Sequence, residues 1–182
     1  MTSTASKRTF TADEFFRLAE LGFFGDNERL ELLEGEIYYL LPIGPLHASA
    51  VARLNQRFVL TFSSRALVWS QSSVRLGASV PQPDLALLTP REDFYASSSP
   101  ESGDILLVVE VAQTSLAYDR AKLAIYARNG IQEVWIADLN GELLEVYHEP
   151  SAGVYKTSFA LNFNEPLGPL AFPDEAEAWL GE

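Results

Sequence analysis

An α/β fold, a mixed β-sheet flanked by helices, is predicted by three features of the sequence. Residues 104–112, DILLVVEVA, form a nearly continuous Ile, Leu and Val run, the pattern of a strand buried on both faces. A segment of helical period at about 120–129 is followed by another apolar run, EVWIADL at 133–139. That makes a β–α–β crossover, right-handed by the general rule. Asn140-Gly141 then separates this run from ELLEVYHE at 142–149, which reads as a hairpin.

The remaining elements follow along the chain. Thr11 and Glu14 form a capping-box pattern, and Phe15, Leu18 and Ala19 recur at helical spacing, so a first helix is expected near 12–21. RLELLEGEIYYLL reads as two short strands turning at Glu34-Gly35. A helix of about 46–64 carries Val51, Leu54, Phe58 and Phe62 on one stripe. Strands are expected at 66–76, 83–88 and 104–112, with a surface loop at about 89–104 rich in Ser, Pro and charge. The crossover helix stops at Gly130. GVYKTSFAL adds a strand, and a short helix is expected over 174–180. The whole reads as one domain over 1–182, with a core of about 9–150 and an acidic extension at 151–182.

The charge balance narrows the function classes. The 182 residues hold 13 Lys+Arg against 25 Asp+Glu, a formal net charge of -12. Residues 140–182 hold eight acids and one base, Lys156, whereas 45–132 hold eight bases and seven acids. Such a balance argues against indiscriminate DNA coating, because phosphate contacts need clustered Lys and Arg, yet leaves room for a local site in the near-neutral middle. The absence of cysteine excludes a disulfide framework and thiolate metal sites, and two histidines are too few for a His-rich metal centre. MTSTASKRTF has no apolar stretch of a secretory signal, and no apolar run approaches the ~20 residues of a membrane helix, so a cytoplasmic protein is expected.

Chemistry is signalled by polar residues set into apolar strands. Asp84 follows Pro83 and opens LALL, while Glu110 sits inside LLVVEVA, where an unpaired carboxylate is costly to bury. Adjacent strands would bring the two together. At about 4 Å and an effective dielectric of 20, like charges repel by roughly 4 kcal/mol. Such a pair stays ionised when a cation sits between its members, and Mg²⁺ suits oxygen ligands and water; otherwise one member takes up a proton. Lys122 is the third element. If Asp119 caps the helix, Lys122 occupies its first turn, where a cation opposes the helix dipole. An ammonium there would reach back toward Asp84 and Glu110. Each residue also has a structural reading: a strand start for Asp84, a buried Arg partner for Glu110, a solvated surface for Lys122. Tyr126, Trp135 and Tyr147 are expected to serve packing.

The extended run SLAYDRAKLAIYARNGIQEVWIADL, with PQPDLALL, LLVVEVA, ERLELLEGEI and His47, resembles the Uma-type bacterial restriction endonuclease family of the PD-(D/E)XK superfamily, over about residues 9–150. The resemblance implies a restriction-endonuclease-like mixed sheet, a divalent metal (Mg²⁺ or Mn²⁺) and DNA as substrate. It matches Asp84 and Glu110 to metal ligands, joined by the backbone carbonyl of Val111. It matches the lysine role to Lys122, since Ala112 stands where the superfamily's lysine normally lies. Glu31, His47 and Asp119 fall in the outer shell. Two residues separate Asp119 from Lys122 where the resemblance leads one to expect three. Gln113, three residues past Glu110, would point to the opposite face on a regular strand.

The leading expectation is thus a metal-dependent DNA endonuclease, with a homodimer expected by analogy to the two-fold symmetry of duplex DNA. The alternative is a catalytically inactive nuclease-fold module that binds nucleic acid or a protein partner. A third reading, a structural domain without a nucleic-acid role, requires Asp84 and Glu110 to lie apart or each to be locked to its own Arg.

Overall fold

The computed structural model describes residues 6–25 and 28–181. Helix α1 (Ala12–Glu20) opens with the expected capping box: the Glu14 amide donates to the Thr11 hydroxyl, and the Thr11 amide donates back to the Glu14 carboxylate. Strands β1 (Leu30–Leu33) and β2 (Glu36–Tyr39) pair antiparallel across Glu34 and Gly35, both with positive φ (50° and 85°), the conformation of a type I′ turn. Helix α2 (Pro45–Phe62) follows and buries Val51, Leu54, Phe58 and Phe62.

The main sheet has six strands: β3 (Leu67–Ser70), β4 (Leu85–Leu88), β5 (Ile105–Ala112), β6 (Glu133–Asp138), β7 (Leu143–Ser151) and β8 (Val154–Asn162). They lie side by side in chain order. Only β5 and β6 run parallel, joined across the sheet by helix α3 (Leu116–Arg128). Strand alternation sorts the side chains. Leu85, Leu87, Leu107, Val109, Trp135 and Ala137 face α2, while Ala86, Leu88, Val108, Ala112, Val134 and Ile136 share a core with Tyr126 of α3. Glu110 has the parity of the second set and so lies on the α3 side.

The β1–β2 ribbon forms its own sheet and joins the body through mutual backbone hydrogen bonds of Leu32 and Val80. With α1 it encloses a small core of Ala12, Phe15, Leu30, Leu32 and Val80. This attachment carries Glu31 to the edge of the main sheet.

Four details differ from the sequence reading. The strand expected over 66–76 stops at Ser70, because Gln71 takes φ 43°, which ends an extended run. The β6–β7 hairpin forms, but the left-handed residue is Glu142 (φ 52°), not Gly141; the Asp138 carboxylate accepts the amides of Asn140 and Gly141, both at 3.1 Å. A Cβ on Gly141 would sit 2.5 Å from Asp138, so glycine serves close approach there. The short helix expected at 174–180 is absent: a bridge between Leu167 and Glu177 holds the backbone extended, and Trp179 enters the α2 core. Finally, residues 151–181, read as an acidic extension, supply β8 and, with Trp179 and Leu180, part of the main core. No helix among the described residues is long and apolar enough to cross a membrane.

Candidate active site

Strand register decides which carboxylates meet. Leu85 of β4 pairs with Val109 of β5, and one further step along the antiparallel ladder sets Asp84 opposite Glu110. The parity above puts both on the α3 side, at the floor of a cleft of about 430 Å³. Asp84, Glu110, Val111, Lys122, Glu31, His47 and Asp119 all line this one cleft.

Asp84 is fixed through one oxygen. Its Oδ2 accepts the Val111 amide at 2.9 Å and lies 3.0 Å from His47 Nε2. Its Oδ1 receives only a long contact from the Gln71 amide, 3.4 Å. His47 stands in the first turn of α2, and its Nδ1 is buried without a hydrogen-bond partner among the described residues. The hydrogen bond to Asp84 raises the imidazole above its ordinary pKa.

Glu110 is 2% exposed. Its Oε1 lies 2.7 Å from Lys122 Nζ and accepts the Tyr126 hydroxyl; its Oε2 takes part in no hydrogen bond among the described residues. Burial pushes this carboxyl up to about 8, against the pull of Lys122 and with the further push of Asp119, Asp84 and Glu31. Burial acts on Lys122 in the opposite direction, toward a lower value, but the charges of Glu110, Tyr126, Glu31 and Asp119 outweigh it and hold the ammonium well above its ordinary pKa.

Lys122 donates its other short hydrogen bond to Glu31 Oε1 at 2.9 Å. Glu31 is itself held by the Gln82 amide at 2.6 Å and by the Tyr118 hydroxyl. The ammonium is therefore clamped between two carboxylates from different strands. Asp119 accepts the Ser115 hydroxyl at 2.6 Å, and burial pushes it up to about 6.

The expected cap of α3 is corrected here. The helix begins at Leu116 behind Ser115, so Asp119 is not its N-cap, and Lys122 lies in the second turn, past the strongest part of the dipole. With Asp119 and Lys122 both inside α3, the two-residue gap leaves the Lys122 ammonium on the carboxylates of Glu31 and Glu110. Gln113 is corrected too: β5 ends at Ala112, so strand alternation no longer governs it, and it lines the cleft. Neither Asp84 nor Glu110 is locked to an arginine, contrary to the third reading.

Tyr118 and Tyr126 join the site as well, and Tyr126, expected to serve packing, bonds Glu110. Their signal was available: with Lys122 they repeat every four residues and make one polar stripe along α3. Gln82, whose amide holds Glu31, carried no signal in the sequence.

Two carboxylates of the cleft are oxygen donors of the kind a hard divalent cation would take. Four carboxylates line the cleft with Lys122, and Asp84 and Glu110 each keep one oxygen free of short hydrogen bonds among the described residues. No group of three His, Cys, Asp or Glu among the described residues is arranged to hold a metal. Two carboxylates, the Val111 carbonyl and several waters is the ligand pattern Mg²⁺ favours.

Comparison with known proteins agrees with this architecture. Residues 12–180 match the model of the Uma2 family, described as "Putative restriction endonuclease". Among solved structures, the chain is similar to one described as "a putative nuclease belonging to DUF820" from Anabaena variabilis ATCC 29413. The TM-score is 0.76 at 17% identity, over 94% of this chain and 99% of the other. That likeness establishes a shared restriction-endonuclease-like fold. No curated protein matches the chain.

Proposed function

The chain belongs to the Uma2 family, and on that premise we propose that it is a metal-dependent endonuclease hydrolysing DNA phosphodiesters. The observation that carries the reading is the meeting of Asp84 and Glu110 across β4 and β5 with Lys122 at 2.7 Å from Glu110. Asp84, Glu110 and the Val111 carbonyl would hold Mg²⁺ or Mn²⁺. Once bound, such an ion supplies Lewis-acid polarisation of a phosphate and a lower pKa for water.

The chain's own groups do the rest. Lys122, fixed by Glu31, presents an ammonium where negative charge develops on the phosphate, and needs no rearrangement to do so. Tyr126 and Glu31 hold the Glu110–Lys122 pair in register. His47 and the Val111 amide fix Asp84 Oδ2 and so aim its other oxygen.

The test is cleavage of supercoiled and linear DNA with added Mg²⁺ or Mn²⁺. The wild type is expected to cleave, and an Asp84→Ala/Glu110→Ala double variant to fall to the background rate. Equal rates for the two would end the hydrolase reading. DNA retention in EDTA with no turnover on metal addition would instead identify a non-catalytic nuclease-fold module.

A further inference from the structure

A nuclease acting on intact duplex meets phosphates with clustered cations, and among the residues that line this cleft only Arg29 and Lys122 carry positive charge. Nine of its 13 Lys and Arg form ion pairs with carboxylates. Arg53 and Arg57 donate to backbone carbonyls of the C-terminal segment, and Arg29 donates both its hydrogen bonds to Gln82. Among the described residues Lys156 alone has no such partner, and it lies on β8, four strands from β4. Of the two cations that line the cleft, Arg29 is bonded to Gln82 and Lys122 lies at the cleft floor, so the approach to the floor presents no unpaired cation among the described residues. The backbone charge that dominates duplex affinity has little to meet.

The cleft offers another source of affinity. Its rim from Tyr38 to Ile43 is an uninterrupted Tyr-Tyr-Leu-Leu-Pro-Ile segment, in which Tyr39 is 68% and Leu41 81% exposed. Apolar groups left open beside a functional cleft mark a binding surface. Tyr38 leans against Tyr118, ring centroids 6.1 Å apart, and Tyr118 donates to Glu31 beside Lys122. Tyr38 and Tyr118 thus link the rim to the buried ammonium, which lies 5.7 Å from the Tyr118 ring centroid, and Tyr39 stands exposed on the rim beside them. Aromatic rims of this kind bind base faces, which stack without regard to sequence. In an intact duplex those faces are covered by neighbouring bases; in a single strand they are available.

We propose that the substrate is single-stranded or locally unpaired DNA, whose bases stack on the Tyr38–Tyr39 rim and lead the phosphate to Asp84, Glu110 and Lys122. This rests on the nuclease reading for what happens at the cleft floor, but the stacking itself does not require turnover.

Binding and cleavage are therefore tested separately. A fluorescein-labelled dT16 and a 16-base-pair duplex of mixed sequence are titrated in EDTA by anisotropy, with wild type, Tyr39→Ala and Tyr39→Trp. The single strand is expected to bind about tenfold or more tightly than the duplex. Tyr39→Ala is expected to weaken it about tenfold, and Tyr39→Trp to retain it. With few phosphates neutralised, the salt dependence should be shallow, a log–log slope of about -1 to -2. Equal or tighter duplex binding, or no effect of Tyr39→Ala, overturns the proposal. So does a change of sedimentation coefficient in Tyr39→Ala with dT16 affinity intact, which would make the rim a contact between copies of the chain.

Cleavage of both DNAs with Mn²⁺ separates the two readings. Duplex cleavage insensitive to Tyr39→Ala keeps the nuclease and ends the single-strand inference. Tyr39-dependent dT16 binding without cleavage keeps the inference and ends the nuclease.

Discussion

Replacing Lys122 with methionine is expected to cost about 3–5 kcal/mol of folding stability and on the order of a hundredfold or more in the cleavage rate. The ammonium is 3% exposed and lies within 2.9 Å of both Glu31 and Glu110. Its removal leaves two buried carboxylates facing one another with Tyr118, Tyr126 and the Gln82 amide as their remaining partners. A loss of that size is a large share of a typical domain's stability. Urea melts would show it as a lower midpoint at unchanged slope. The structural and chemical parts separate in the double variant Glu31→Gln/Lys122→Met. Neutralising Glu31 removes one uncompensated charge, so the pair should regain part of the stability while the cleavage rate stays low. A midpoint within error of wild type for Lys122→Met would show that the ammonium neutralises nothing, and recovery of the rate in the double variant would remove Lys122 from the chemistry.

The second large effect is expected outside the cleft. Glu133, at the start of β6, is fully buried and accepts the Trp135 indole N–H at 2.8 Å and the Leu170 amide at 2.7 Å, with His148 Nε2 at 3.0 Å. The Leu170 contact ties the C-terminal segment to the sheet. Glu133→Ala leaves the buried Trp135 indole without an acceptor and frees Leu170 and His148 to water, a loss of about 2–4 kcal/mol, since bonds to a charged acceptor are each worth about 1.5–3 kcal/mol and solvation of the exposed donors recovers some. Urea melts measure it, and limited proteolysis should show earlier cutting within 163–175.

The same carboxyl makes a pH signature. Burial pushes Glu133 above the ordinary carboxylate range, against the hydrogen bonds from Leu170, Trp135 and His148. Between the ordinary and the raised value the folded chain holds more protons than the unfolded one, so this group's contribution to stability falls as pH rises through that window. Glu133→Gln should remove that part of the slope. A Gln variant whose pH profile parallels wild type would dissociate Glu133 from it.

What could be read in the sequence was local or periodic. The Ile, Leu and Val run of β5, the capping box of α1 and the Glu34-Gly35 turn are set by neighbours a few residues apart, and each formed as read. Parity carries the face of the site: Asp84 and Glu110 are both even-numbered, as are Ala86, Leu88, Val108 and Ala112 on the same face. The start of α3 was misplaced because Asp119 resembles a cap, whereas Ser115 holds that position and spends its hydroxyl on Asp119. The clamp on Lys122 was legible only in part. Glu31 reaches it through the Leu32–Val80 bridge, a pairing 48 positions apart that no local propensity specifies. The tail misled for a related reason. Its acidic, Ala-containing stretch suits a helix, but burying Trp179 and bridging Leu167 to Glu177 outweigh that propensity.

The two-residue repeat of β4 makes the chain's reading frame part of its chemistry. One extra amino acid between Leu85 and Leu87 would swing Asp84 to the α2 side and present its acid to oil, whereas two extra would return it to the cleft at a shifted height. Insertional scanning should therefore trace a sawtooth through this strand, silent in the 89–99 loop and alternating between dead and impaired inside it.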